Sequence, residues 1–204
     1  ALGLDVSGSV DAREYRLQLD GVAAALTEAE VARAFLAVPG APVAIAVYEW
    51  SGLGAQRVLV DWVDVADATT LAGVADRLRG TRRVSMALST ALGEAKAFGA
   101  TLLGQRRDCA RWVLDLSGDG KNNVGPRPHA VPLRGVTVNA LVIGEPMRAS
   151  RSGPGISELI AYFRARVIEG EGAFVESALG FEDYRAAMTR KLLRELDVRV
   201  MSAR

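Results

Sequence analysis

The sequence predicts an α/β protein: a doubly wound, mostly parallel six-stranded sheet with one antiparallel edge strand and helices on both faces. Three observations carry this. Short apolar runs alternate with amphipathic helical segments along nearly all of the 204 residues, the pattern of a parallel sheet covered on both sides. One pair of apolar runs, 43–50 and 56–65, is joined only by Ser51-Gly52-Leu53-Gly54-Ala55. That link is too short for a crossover and demands a hairpin. The composition, 50% hydrophobic and 24% charged, is that of an ordinary globular chain. Its length suits one domain better than two, so a single domain over 1–204 is expected.

In chain order, a short apolar strand stops at Asp5 and a helix runs from Asp11 to Leu26, with Tyr15, Leu17, Val22 and Leu26 on its apolar face. Asp11 and Glu14 form a capping-box pair. Thr27 and Glu30 repeat that spacing and predict a second helix to about Val38, ended by Pro39-Gly40-Ala41-Pro42. Val43–Trp50 is nearly continuous in apolar residues, as a strand covered on both faces should be. Gln56–Val65 returns antiparallel to it, and Asp67 caps a helix to about Leu78. Residues 79–84 read as a loop before a long Ala- and Leu-rich helix, Ser85 to Leu103. Strands follow at Ala110–Leu116, Val136–Ile143 and Ala173–Ala178, with helices at Ile156–Val167 and Phe181–Leu196. The loop 117–125 carries every marker of tight turns. The segment 126–133, with three prolines and the only histidine, His129, reads as irregular, and 144–155 as a polar loop.

Ligands of such sheets bind beyond the carboxyl ends of the strands, near the switch in strand order. Two groups of polar residues lie just past strand ends. In Asp5-Val6-Ser7-Gly8-Ser9, side chains two apart point the same way in an extended chain. Asp5, Ser7 and Ser9 can then face one point if the chain curls at Gly8. Three hard oxygens suit a small divalent cation; the alternative is a helix amino terminus holding an anion. Ser117-Gly118-Asp119-Gly120 ends a later strand and meets the first group if those strands are neighbours. A second carboxylate at that point favours the cation.

These residues resemble the von Willebrand factor A-type domains, through the DxSxS signature at Asp5, Ser7 and Ser9, the hairpin in second place and the strand ending in Asp119-Gly120. The resemblance covers almost the whole chain. It is nearest to a branch of exported bacterial proteins of unknown function, through Asp115 to Asn123, matching Asp-x-Ser-Gly-Asp-Gly-x-Asn-Asn. The segment Gly180 to Glu195 also matches, with Gly-Phe-Glu-Asp-Tyr before a basic Lys-Leu-Leu-Arg-Glu helix. The resemblance implies a Rossmann-like fold and a metal-ion-dependent adhesion site holding Mg²⁺ or Mn²⁺. In it, Ser7 and Ser9 are direct ligands, Asp5 and Asp119 are the carboxylates, and a partner's carboxylate completes the shell. It also implies a threonine five residues ahead of an Ala-Leu pair. Counting back from Ala91-Leu92 gives Met86, a poor ligand for a hard cation. Either the adjacent Ser85 substitutes, or the site is incomplete.

Asp115, two residues from Ser117, is either a group supporting the site hydroxyls, together with Ser117, or a hydrogen-bonded core carboxylate. Asn122 and Asn123 are expected to brace their loop. Arg82, Arg83, Arg127, Arg148 and Arg151 fall in loops around the site, where a cluster would attract an acidic partner. Trp50 and Trp62 are expected to pack under a helix, and Cys109 to be a small buried side chain starting a strand.

Lys+Arg of 25 against Asp+Glu of 24 gives no bulk field for nucleic acid, and no apolar run reaches the roughly 18 residues of a membrane span. The expected function is a non-enzymatic binding module that takes an exposed carboxylate of a protein or peptide. The alternatives are a scaffold or assembly subunit with a degenerate site, or a Mg²⁺-dependent phosphoryl-handling enzyme using Asp5. Ser–His chemistry is strained with a lone His129. The resemblance implies a periplasmic or extracellular location; the sequence opens in what reads as mid-strand, so an export signal is expected upstream of it.

Overall fold

The computed structural model describes residues 1–145 and 155–202, with side chains described to residue 197. Six strands form one sheet: β1 (Leu2–Asp5), β2 (Val43–Trp50), β3 (Gln56–Val65), β4 (Trp112–Gly118), β5 (Val136–Gly144) and β6 (Val175–Leu179). Their order is β3-β2-β1-β4-β5-β6. All neighbours are parallel except β2 and β3, the expected hairpin edge. The helices are α1 (Ala12–Thr27), α2 (Ala29–Phe35), α3 (Ala68–Gly80), α4 (Leu92–Leu103), α5 (Ile156–Arg166) and α6 (Tyr184–Ser202).

Strand alternation sorts side chains to two cores. Leu2 and Leu4 of β1, Ile45 and Val47 of β2, and Leu141 and Ile143 of β5 join the cluster under α1, α3 and α6. Tyr48 and Trp50, Leu114 and Leu116, and Val138, Ala140 and Val142 join the cluster under α4 and α5. Burying each such aliphatic side chain contributes about 1.5–3 kcal/mol. Trp62 packs against the second cluster and its indole N–H donates to Leu102 O at 3.1 Å. Cys109 is half-buried, in a turn ahead of β4 rather than within a strand.

The Asp11 capping box forms as expected, with Glu14 N–H donating to Asp11 Oδ1 and Asp11 N–H to Glu14 Oε2, both at 2.8 Å. The Thr27 box does not. Thr27 Oγ1 donates back to Ala23 O and Ala24 O, so α2 starts without a side-chain cap and ends at Phe35. The larger correction concerns 81–91. These residues are not helical, and α4 begins only at Leu92. Tertiary bonds override the helical propensity of the Ala- and Leu-rich stretch: Gly8 N–H donates to Leu88 O at 2.9 Å, and Ala91 N–H to Ser51 O at 2.8 Å. A Cβ on Gly8 would lie 2.9 Å from Leu88 O, so only glycine lets the two loops touch.

The β4 residues on the α1/α6 face are polar. Asp115 is buried against Lys191 of α6, itself fully buried, and Lys191 also bonds Glu195 Oε1 at 2.6 Å. Asn139 of β5 donates to the same Glu195 oxygen at 2.8 Å. Burial and the Asp115 charge push the Glu195 carboxyl up to about 8. Burial would raise Asp115 too, but the Lys191 ammonium holds it below its ordinary value.

Because the Glu195 carboxyl keeps its proton to higher pH when folded, it favours the fold fully below the ordinary glutamate range. That advantage is lost as pH rises toward about 8. The urea midpoint is therefore expected to fall as pH rises from the ordinary glutamate range to about 8, and Glu195→Gln to flatten that slope. Lys191→Ala leaves two buried carboxyls without their cation and is expected to cost roughly 3–5 kcal/mol in urea denaturation.

Candidate functional site

Parallel pairing places Asp5 and Asp119 at the carboxyl ends of adjacent strands, since β1 and β4 register as Leu2↔Asp115 and Leu4↔Ser117. Asp5 is fully buried. Its Oδ1 accepts Ser7 N–H at 2.8 Å, which turns the chain back after β1. Ser7 is buried and Ser9 exposed. Their Oγ atoms lie 3.4 Å apart, and Ser9 Oγ donates to Asp119 Oδ1 at 2.7 Å. The helix α1 that follows is fixed by its own cap, which holds the 5–10 turn in place.

A third hydroxyl completes the cluster, and it is neither Ser85 nor a group at position 86. Thr90, buried, donates its Oγ1 to Ser7 Oγ at 3.2 Å. Ser85 is exposed, and Met86 packs against the core under α1, α3 and α6. With 81–91 unwound, the hydroxyl directly before Ala91-Leu92 reaches the site, rather than a group five residues ahead of that pair. The sequence did carry a signal for it. A Ser-Thr pair immediately ahead of an apolar Ala/Leu run is a helix-start pattern.

The loop after β4 braces Thr90, as Asn122 and Asn123 were expected to do for their own loop. Thr90 N–H donates to Asn123 Oδ1 at 2.8 Å, Asn123 N–H to Thr90 O at 2.9 Å, and Gly93 N–H to Asn122 Oδ1 at 3.3 Å. Asp115 and Ser117 do not reach the cluster. They face α6, where Asp115 meets Lys191 and Ser117 Oγ lies 2.8 Å from Tyr184 Oη. Asp115 is therefore the core carboxylate of the two readings open for it.

Two carboxylates converge here, and among the described residues no ion pair engages either of them. Asp5 Oδ2 is buried and has no hydrogen-bond partner among the described residues. Burial, then the Asp119 charge, push the Asp5 carboxyl up to about 8; burial likewise raises Asp119. Such an arrangement is costly as it stands. A divalent cation would relieve it, and the donors present suit one: three hydroxyls and two carboxylates, all hard oxygen. Among the described residues no group of three or more His, Cys, Asp or Glu side chains could hold a metal, so any ion here rests on the hydroxyls as much as on the acids. The buried floor of Asp5, Ser7 and Thr90 and the more open Ser9 and Asp119 leave one side of the cluster facing solvent.

The arginines divide. Arg83 spends its guanidinium on Val10 O at 2.6 Å and lies over the Tyr15 ring. Arg82 is exposed, and its carbonyl accepts from Arg57 at 3.1 Å. Arg127 and His129 line a cleft beyond the Asn122–Gly125 loop. Arg148 and Arg151 lie outside the described residues.

Comparison with known proteins agrees with the fold. Residues 1–200 match the family model described as "Protein of unknown function (DUF1194)". No curated protein matches the chain closely enough to count as a relative. Among solved structures, the fold is similar to proximal thread matrix protein 1 from the mussel byssus with a zinc-occupied MIDAS motif (TM-score 0.62, 18% identity, 96% of this chain and 44% of that one). It is similar to a von Willebrand factor type A protein from Catenulispora acidiphila (0.60, 16%, 96% and 41%). It is also similar to the pilus adhesin SpaC from Lactobacillus rhamnosus GG (0.61, 14%, 96% and 30%). The chain spans less than half the length of each, and at these identities the likeness is one of fold.

Asp5→Asn keeps the shape and an oxygen for Ser7 N–H while removing one of the two acids. In EDTA it is expected to reduce the loss of urea stability that wild type shows as pH rises from the ordinary aspartate range toward about 8, so the variant gains on wild type over that interval.

Proposed function

The chain belongs to the DUF1194 family and has a von Willebrand factor A-like fold, and from that premise we propose that it is a non-enzymatic binding module. It acts as one domain over residues 1–204, located outside the cytoplasm. Ser7, Ser9 and Thr90 with Asp5 and Asp119 would hold Mg²⁺ or Mn²⁺, and an acidic group of a protein or peptide partner would bind at the solvent-facing side. The observation that carries this reading is the orphaned, buried Asp5 Oδ2 beside a second carboxylate, with three hydroxyls bridging them. A bound cation supplies the charge that this corner lacks and an electrophilic position for a carboxylate.

This chain's own residues set the terms of that binding. The Asp5–Ser7 turn and the Asn123–Thr90 pair of bonds orient the hydroxyls before any ligand arrives, which lowers the ordering cost of binding. Three neutral hydroxyls against two acids leave an ion's charge only partly compensated. The relatives lend support at the level of class: one is described as an adhesin and another with a zinc-occupied MIDAS motif. The scaffold alternative rested on Met86 at a ligand position, and Thr90 removes that ground. The phosphoryl-transfer alternative asks for a second acid beside Asp5 in the same loop, and position 7 is serine. Among the described residues no helix is long and apolar enough to cross a membrane.

Calorimetric titration with Mg²⁺ and Mn²⁺ tests the reading. Wild type is expected to bind and to gain thermal stability with ion concentration. Ser7→Ala and Thr90→Ala are each expected to weaken binding by at least roughly 10–100-fold, the range for losing even an outer partner of a metal site. Wild type showing no binding of either ion sinks the proposal.

A further inference from the structure

Beyond the Asn122–Gly125 loop lies an open cleft of ≈ 430 Å³, lined by that loop together with Arg127, His129, Tyr162 and Arg166. Its size is that of small-ligand sites. Among the described residues no acidic one lines it. Arg127 and Arg166 are exposed, and no ion pair engages either among the described residues. The neighbouring acids are already committed: Glu158 to Lys121, and Glu169 to Lys96 and to Leu133 N–H. In the second groove, by contrast, the arginines are paired: Arg185 meets Glu28 and Arg190 meets Glu176. The cleft is thus a local concentration of unpaired guanidinium in a chain whose net charge is only +1.

Its position relative to the hydroxyl cluster is fixed by the loop they share. Asn123 lines the cleft and also bonds Thr90, and it lies four residues from Asp119. Four residues of chain span at most about 14 Å. We infer that the cleft takes a second acidic side chain of the same peptide ligand whose first carboxylate binds at the metal cluster. This rests on the metal-dependent reading above. Guanidinium groups receive carboxylates through paired N–H donors, and Tyr162 Oη, which accepts Asn122 N–H at 3.2 Å, has its own O–H to donate. The partner segment is therefore acidic at two points no more than about four residues apart when extended.

The probes are capped hexa-aspartate and inorganic phosphate, titrated by calorimetry into the full chain. In EDTA, where only the cleft acts, hexa-aspartate is expected to bind weakly. Arg127→Gln and Arg166→Gln, both on exposed side chains, should each weaken it roughly tenfold. Adding Mg²⁺ should tighten the peptide about tenfold or more in wild type, because the second contact becomes intramolecular. No binding in EDTA, unchanged binding by the double variant, or phosphate binding more tightly than the peptide overturns the cleft assignment. If Mg²⁺ alone binds yet leaves peptide affinity unchanged, the single spanning ligand is overturned. Mg²⁺ titrated without peptide reports on the metal cluster by itself, so either reading can fail without the other.

Discussion

Parallel pairing of β1 with β4 is the constraint on which the site depends. It puts the ends of two strands that are far apart in sequence side by side, and each end carries an aspartate. Neither carboxylate can move away without breaking the sheet register. The turn at Ser7, the brace at Thr90 and the Asn122–Asn123 loop are all arranged around that forced meeting. Asp5 gives one oxygen to Ser7 N–H and Asp119 one to Ser9 Oγ; the other Asp5 oxygen has no hydrogen-bond partner among the described residues.

The fold handles its other buried acids differently. Glu49 is fully buried and takes Arg57 at 2.8 Å and Tyr15 Oη at 2.9 Å. Asp115 takes Lys191. Burying an ionised carboxylate is tolerable when a cation and hydrogen bonds come with it. Asp5 has neither a basic side chain nor a full set of donors, although arginines lie within the same loops. Arg83, one such arginine, is directed to a backbone carbonyl and an aromatic ring instead. The contrast within one molecule sets Asp5 and Asp119 apart more firmly than either residue type would alone.

Much of this was legible in the sequence, and the illegible part has a common cause. Alternation and loop length gave the mostly parallel sheet and the hairpin edge, because those follow from local periodicity and crossover geometry; that β1 and β4 are neighbours, the condition on which the two polar groups meet, comes from the sheet pairing itself. Asp5, Ser7, Ser9 and Asp119 were legible for the same reason, as residues at strand ends. Residues 85–91 were not. Their Ala- and Leu-rich composition favours a helix, and what unwinds them is bonding to Gly8 and Ser51, distant in sequence. Thr90 was hidden by that helix and by the five-residue spacing that the family resemblance implies, which points to Met86 instead. Lys191 and Glu195 read as an ordinary i,i+4 pair on a helix surface; only packing against Asp115 shows them as buried.

The unwinding of 81–91 also bears on whether the corner suits a cation or an anion, the question Asp5, Ser7 and Ser9 left open. A helix amino terminus binds anions through free amides, and two helices begin near the cluster. Ahead of and within the first turn of α4, Thr90 N–H goes to Asn123, Ala91 N–H to Ser51 O and Gly93 N–H to Asn122. Ahead of α1, Ser7 N–H goes to Asp5, Gly8 N–H to Leu88 O, Val10 N–H to Ser7 O and Glu14 N–H to Asp11. With these donors spent, what the cluster presents is oxygen from three hydroxyls and two carboxylates. An anion would meet repulsion there, and a hard cation would meet ligands.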